Sequence, residues 1–237
     1  ILALTIGFSM NAQMVDNSSN CFASGYSSVA MGYGTTASGE VSTAMGRNTI
    51  ASGSRSTAMG QFTTAIGYAS TAMGESTEAS GDASTAMGES TIASGFFSTA
   101  MGYNTIASGF SSTAMGQFTI ASGNASTAMG NGTIASGYYS TAMGESTTAI
   151  GNVSTAMGRS TTASGDFSTA MGERTTASDY GSLVIGQYNS SGSTVTSNAT
   201  SFDTANTAFV IGNGVDGSTT SDAFKVMFNG DATLSND

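Results

Sequence analysis

The sequence predicts an all-β chain coiled as a parallel β-roll, a solenoid with one turn per fourteen residues. Two observations predict it: a fourteen-residue period that runs from Ser28 to Gly181 without insertion or deletion, and a glycine-marked break about every seventh residue within that period. Composition agrees. Hydrophobic residues reach only 39%, largely alanine and methionine, glycine numbers 32, proline and tryptophan are absent, and charged residues make up 8%. That is too little apolar volume for an ordinary globular core and too little charge for a disordered polyelectrolyte.

Each period reads S-[TV]-A-M-G-x-x-T-x-A-[SI]-[GD]-x-x, and eleven complete copies follow one another. A half-copy, Ala23-Ser24-Gly25, precedes them, and Ser182-Leu183-Val184-Ile185-Gly186 begins a twelfth. Counting columns from the serine, columns 1, 3, 4, 5, 8 and 10 are fixed as Ser, Ala, Met, Gly, Thr and Ala. Columns 6, 7, 9, 13 and 14 vary and hold every charged residue of the repeats except Asp179. The fixed columns read as structure and the variable ones as surface.

Glycine at columns 5 and 12, followed each time by two variable residues, divides a copy into two short strands and two tight turns. A helix is excluded, because each interior glycine costs it about 1 kcal/mol relative to alanine. Side chains alternate across a strand, so columns 8 and 10 share a face opposite the variable column 9, which takes Glu78, Ile92 and Thr148 in different copies. That puts the threonine and alanine of the second strand inside. On the first strand only methionine has volume to fill the interior, so Met31, Met45, Met59, Met73, Met87, Met101, Met115, Met129, Met143, Met157 and Met171 are expected as a core ladder. The Ser-Ala-Gly face, for example Ser70, Ala72 and Gly74, then points outwards, and its uniformity predicts another chain packed against it. One thin roll buries little against an ordering cost of about 1.5 kcal/mol per residue, so oligomerisation is the expected remedy.

At the amino end, Ile1 to Ala12 is a short apolar run ending in a small residue, as at the tail of a secretory signal peptide. Residues 13–27 then lead into a roll at 28–187. A Ser/Thr/Asn-rich linker is expected at 188–206, and a short β segment at 207–237 with strands around Phe209 and Phe224 and a turn at Asn229-Gly230. Asp179, standing where glycine is expected, marks the fraying end of the roll.

The run Ser28-Val29-Ala30-Met31-Gly32-Tyr33-Gly34-Thr35-Thr36-Ala37-Ser38-Gly39 resembles the head repeat of YadA-like trimeric autotransporter adhesins, S-V-A-I-G-x-x-A-x-A-x-G-x-x. The resemblance implies a left-handed roll and three chains packed side by side as a homotrimer. It also implies export to the bacterial cell surface or outer membrane, or to the extracellular space, and attachment by multivalent binding to extracellular matrix or another surface ligand. The tail is similar to segments preceding self-trimerising or chaperone modules in surface fibres and phage tail spikes, which implies a structural spacer as the alternative.

Other functions are narrowed by residue type. A net charge of -10, from five basic and fifteen acidic residues, repels nucleic acid. Histidine is absent and Cys21 is the single cysteine, so a catalytic base of the usual kind, an intrachain disulfide and ordinary zinc sites have no residues to form them. Neither an enzyme nor a cofactor is expected, nor any membrane contact by this chain. The scattered carboxylates Glu75, Glu78, Asp82 and Glu89 lack the dense oxygen set that calcium needs and read as solvated charge. An ice-binding solenoid is a further alternative raised by the threonine columns 2 and 8, and the phase derived above puts both inside. One cluster on the outer face is a candidate ligand-contact patch: Ile92, Ile106, Ile120 and Ile134 in column 9, with Phe96, Phe97, Tyr103, Phe110, Phe118, Tyr138 and Tyr139 in the neighbouring turns.

Overall fold

Residues 14–15 and 20–235 are described in a computed structural model of the chain, so the apolar stretch expected as a signal peptide lies outside the described residues. The chain is all-β and coils as a parallel solenoid of about twelve turns. Each turn contributes a five-residue strand over columns 2 to 6, as in Thr99–Tyr103, and a two-residue strand over columns 9 and 10, as in Ile106–Ala107. Like columns stack on like: Thr85 on Thr99, Met87 on Met101, Gly88 on Gly102. Among the described residues the long strands join one sheet of sixteen strands and the short ones a second sheet of twelve. Pairing begins before the first full copy, with Met14–Val15 on Val29 and Ala30, and Phe22–Ala23 on Thr36 and Ala37.

The interior is lined by the smallest side chains. Columns 1, 3, 8 and 10, such as Ser98, Ala100, Thr105 and Ala107, are between 0 and 1% exposed. This overturns the expected phase of the first strand. Met31, Met45, Met59, Met73, Met87, Met101, Met115, Met129, Met143, Met157 and Met171 are not in the core but half-exposed on the outer face of the long-strand sheet. The serine and alanine expected to meet another chain are buried instead. The physical reason is that the interior needs no large filler: two walls faced with Ser, Ala and Thr close on each other until their methyls pack, and no methionine-sized space opens.

Glycine makes that closure possible at two columns. Gly102 has φ +124°, and a Cβ placed on it would lie 1.9 Å from the carbonyl oxygen of Gly116 in the next turn; at Gly109 it would lie 2.1 Å from that of Gly123. The fifth and twelfth columns are therefore points of backbone-on-backbone stacking. Columns 7 and 14 carry the tight turns in the left-handed region, and most of their residues are not glycine: Phe97 (φ 57°), Phe118 (54°) and Val153 (57°) are examples. A donor ladder holds these turns, with Phe118 N–H donating to Tyr103 O and Val153 N–H to Tyr138 O, one turn back. The serine and threonine hydroxyls inside add less. Thr105 and Thr119 Oγ1 have no hydrogen-bond partner among the described residues, whereas the Ser28, Ser42 and Ser140 hydroxyls donate to the carbonyls of Gly25, Gly39 and Gly137, so the interior is held mainly by shape and the backbone ladder.

Asp179 corrects a second expectation. Instead of fraying the roll, its fully buried carboxylate accepts the Thr196 N–H at 2.6 Å and the Thr207 N–H at 2.7 Å. These bonds pin the Ser/Thr/Asn-rich segment to the roll and return the chain to the sheet. The strand Thr207–Asn213 then pairs in parallel with Leu183–Gln187, Leu183 opposite Phe209 and Ile185 opposite Ile211. Asp222–Met227 and Ala232–Leu234 follow as antiparallel strands, so the long-strand sheet ends by reversing direction.

Candidate interaction surfaces

The fold creates two outward faces of opposite character. On the long-strand face, alternation turns columns 2 and 4 away from the core, so Thr43 to Thr169 and the methionines form two parallel half-exposed ranks with no break in register. The second-column threonines were expected inside with those of column 8; only the column 8 rank, Thr35 to Thr175, is buried. Column 6, which shares this side of the strand, varies from Arg47 to Glu75 to Tyr103 and borders the ranks with mostly exposed side chains.

Toward the carboxyl end the same face becomes bulkier. Leu183 and Ile185 replace Thr and Met, followed by Phe209 and Ile211, then Val226 opposite Phe209 and Phe224 opposite Ile211. The rings of Phe209 and Phe224 meet edge to face at 6.1 Å. Leu234, opposite Phe224 on the last strand, is 76% exposed.

The short-strand face carries the variable ninth column. Ile92, Ile106, Ile120 and Ile134 stack on one another as a ladder in the ninth column, each half-exposed or nearly so. The aromatic residues do not form one sheet with it but divide between the two turns that flank it. Phe96, Phe97, Phe110, Tyr138 and Tyr139 belong to the turn at columns 13 and 14, where Phe97 and Phe110 meet edge to face at 5.7 Å. Tyr103 and Phe118 belong to the turn at columns 6 and 7 and meet at 5.3 Å. Tyr139 is 67% exposed. The rims also hold cations over rings, Arg47 over Phe62, Arg55 over Tyr68 and Arg174 over Tyr188, and an ion pair between Arg159 and Glu173.

Asparagine and aspartate in column 13 have a part that sequence reading missed. Asp82 Oδ1 accepts the Tyr68 N–H, Asn124 Oδ1 the Phe110 N–H and Asp166 Oδ1 the Asn152 N–H, each one turn back. Their signal was the recurrence of Asn and Asp in one variable column, where the short side chain satisfies an exposed turn amide. Near the carboxyl end a polar cleft of about 400 Å³ is lined by Ser190, Ser191, Thr220, Ser221, Asp222, Lys225, Thr233 and Ser235. Asp222 is committed there to Ser190 and Ser191, whose amides and hydroxyl donate to it. Two exposed carboxyls on the terminal loops sit below their ordinary range: Asp203, chiefly through the Ser197 hydroxyl, and Asp216, through the Ser218 and Thr219 amides.

Among the described residues no group of three or more His, Cys, Asp or Glu side chains is placed to hold a metal ion, and no helix is long and apolar enough to cross a membrane. Cys21 occupies the column 8 position of the half-copy and donates its thiol to Gly32 O at 2.9 Å.

A solenoid whose distinctive features are long, repeated outer faces defines a repeat protein of the parallel β-solenoid kind. The family is specific: the model of the YadA head domain repeat matches the chain in successive segments, 23–49, 42–63, 65–91, 79–105, 93–119, 107–133, 135–161, 149–172 and 163–189, and the chain belongs to this family. Membership suggests a head like that of the trimeric autotransporter adhesins, a structural and exported kind of protein that self-associates and binds surfaces. A search of curated proteins found no match to the chain.

Proposed function

We propose that the chain is the head of a bacterial surface adhesin that works as a homotrimer, with sister chains packed on the Thr/Met face and the short-strand face turned towards the ligand. The observation that carries this reading is the contrast between the two faces: one is uniform and half-apolar in every turn, the other changes from copy to copy. A face that met only solvent would be free to vary as column 9 does, and a flat strip of methionine is adaptable packing material for an identical partner. The ligand belongs to extracellular matrix or another surface, and avidity from three chains multiplies weak contacts at the patch formed by the isoleucine ladder and its aromatic rims.

Sedimentation velocity tests the assembly. The unaltered chain is expected as a trimer, and Met87→Asp, Met101→Asp and Met115→Asp together are expected to give monomers that keep their β circular dichroism. A wild-type monomer would end the proposal. For the ligand face, Phe97→Ser with Tyr139→Ser is expected to weaken adhesion to matrix-coated surfaces about tenfold, because each copy of a multivalent site loses its anchors. Unchanged adhesion would leave the roll as a spacer in a surface or phage-like fibre. An ice-binding plane gains one supporting observation, the outward threonine rank of column 2; the methionine rank beside it favours a protein partner, and thermal hysteresis of the purified chain would reverse that preference.

A further inference from the structure

The face assigned to sister chains cannot, over most of its length, say where along the axis they should stop. From Thr43/Met45 to Thr169/Met171 every rung presents the same two residues in unbroken register. Sliding one chain by a single turn, about 4.8 Å, lays threonine on threonine and methionine on methionine again. A repetitive face of this kind specifies register weakly. The sixth-column residues beside it are aperiodic, yet they are mostly exposed and polar, and pairing between exposed charges contributes little.

At the carboxyl end the degeneracy is lifted. Successive rungs of the same continuous face read Leu183/Ile185, Phe209/Ile211 and Val226/Phe224, no two alike. This end is fixed to the roll, because the buried Asp179 carboxylate holds the amides of Thr196 and Thr207 on either side of the return. We infer that these non-repeating rungs are a register clasp, the site where three copies of the chain lock in axial alignment while the roll supplies unspecific contact. The inference rests on the self-association reading above and adds where its specificity resides.

Disulfide trapping in the full chain, in a Cys21→Thr background, tests it. Two differently tagged chains, one with Met101→Cys and one with Met129→Cys, are co-expressed and oxidised. These positions lie two turns apart, about 9.6 Å along the axis, beyond the Cα separation of about 7 Å that a disulfide spans. Aligned chains therefore give same-position adducts only, and mixed adducts report sliding. Replacing the clasp by more roll, through Leu183→Thr, Ile185→Met, Phe209→Thr and Ile211→Met, is expected to raise the mixed fraction about tenfold, the discrimination that one misplaced large apolar side chain supplies. A second variant, Phe224→Thr with Val226→Thr, alters only the antiparallel rung and is expected to move the ratio in the same direction. Abundant same-position adducts with an unchanged mixed fraction in both variants would overturn the clasp and leave self-association standing. Absence of every adduct with the native clasp would overturn self-association itself, and the clasp with it.

Discussion

The roll and its carboxyl end solve the same problem with opposite materials. In the roll the buried side chains are Ser, Ala and Thr, and order comes from backbone stacked on backbone at Gly102 and Gly116 and at Gly109 and Gly123. At the end the largest fully buried side chains are Val184, Val210 and Asn206, Phe202 packs on Phe228 at 5.1 Å, and a buried carboxylate ties loop to strand. The difference teaches that a fourteen-residue coil can be narrow because identity from turn to turn lets neighbouring backbones touch. Once the sequence stops repeating, conventional packing and polar staples have to take over.

Substitution at a stacking glycine should break that comparison most sharply. Gly102→Ala puts a methyl 1.9 Å from a carbonyl oxygen at φ +124°, whereas Gly230, with φ +92°, has nothing within 4 Å of the same methyl. Chemical denaturation is expected to show a loss of about 4 kcal/mol or more for the first, the size reserved for gross steric conflict, and about 1 kcal/mol of backbone strain for Gly230→Ala. Next in size is Asp179→Gly, which restores the repeat and should nevertheless destabilise. The buried Thr207 amide and the part-buried Thr196 amide lose their charged acceptor, a cost of about 3 kcal/mol, and amide exchange at Thr196 and Thr207 should accelerate while Thr105 is unaffected. The smallest effect sharpens the role of the turns: Val153 holds φ 57° while 45% exposed, so Val153→Asn is expected to stabilise by about 1 kcal/mol, since asparagine tolerates that conformation and a β-branched residue does not. An unchanged or lowered midpoint would show that Val153 contributes contacts outweighing its strain.

The period, the two strands per turn, the exclusion of helix and the inward Thr and Ala of columns 8 and 10 were legible because fixed and variable columns alternate there. The isoleucine ladder of Ile92, Ile106, Ile120 and Ile134 was legible for the same reason. The first strand was not, because both of its inner columns are fixed and both faces look equally constrained. Side-chain volume then pointed to Met101 as filler and to Ala100 as surface, the reverse of the folded arrangement. The aromatic rims were found by composition, yet their division between two turns depends on which turn each residue closes. Asp179 looked like a lapse in the pattern because its acceptors' partners, Thr196 and Thr207, are distant in sequence.

From the order of its residues alone this chain is committed to a coil of fourteen, since no other regular structure tolerates two glycines and fixed small residues at that spacing. Its width, and with it the side of the sheet on which eleven thioethers stand, was decided only when two walls met in space. Shape complementarity across a core is a property of pairs of surfaces, and a single strand read by itself does not contain it.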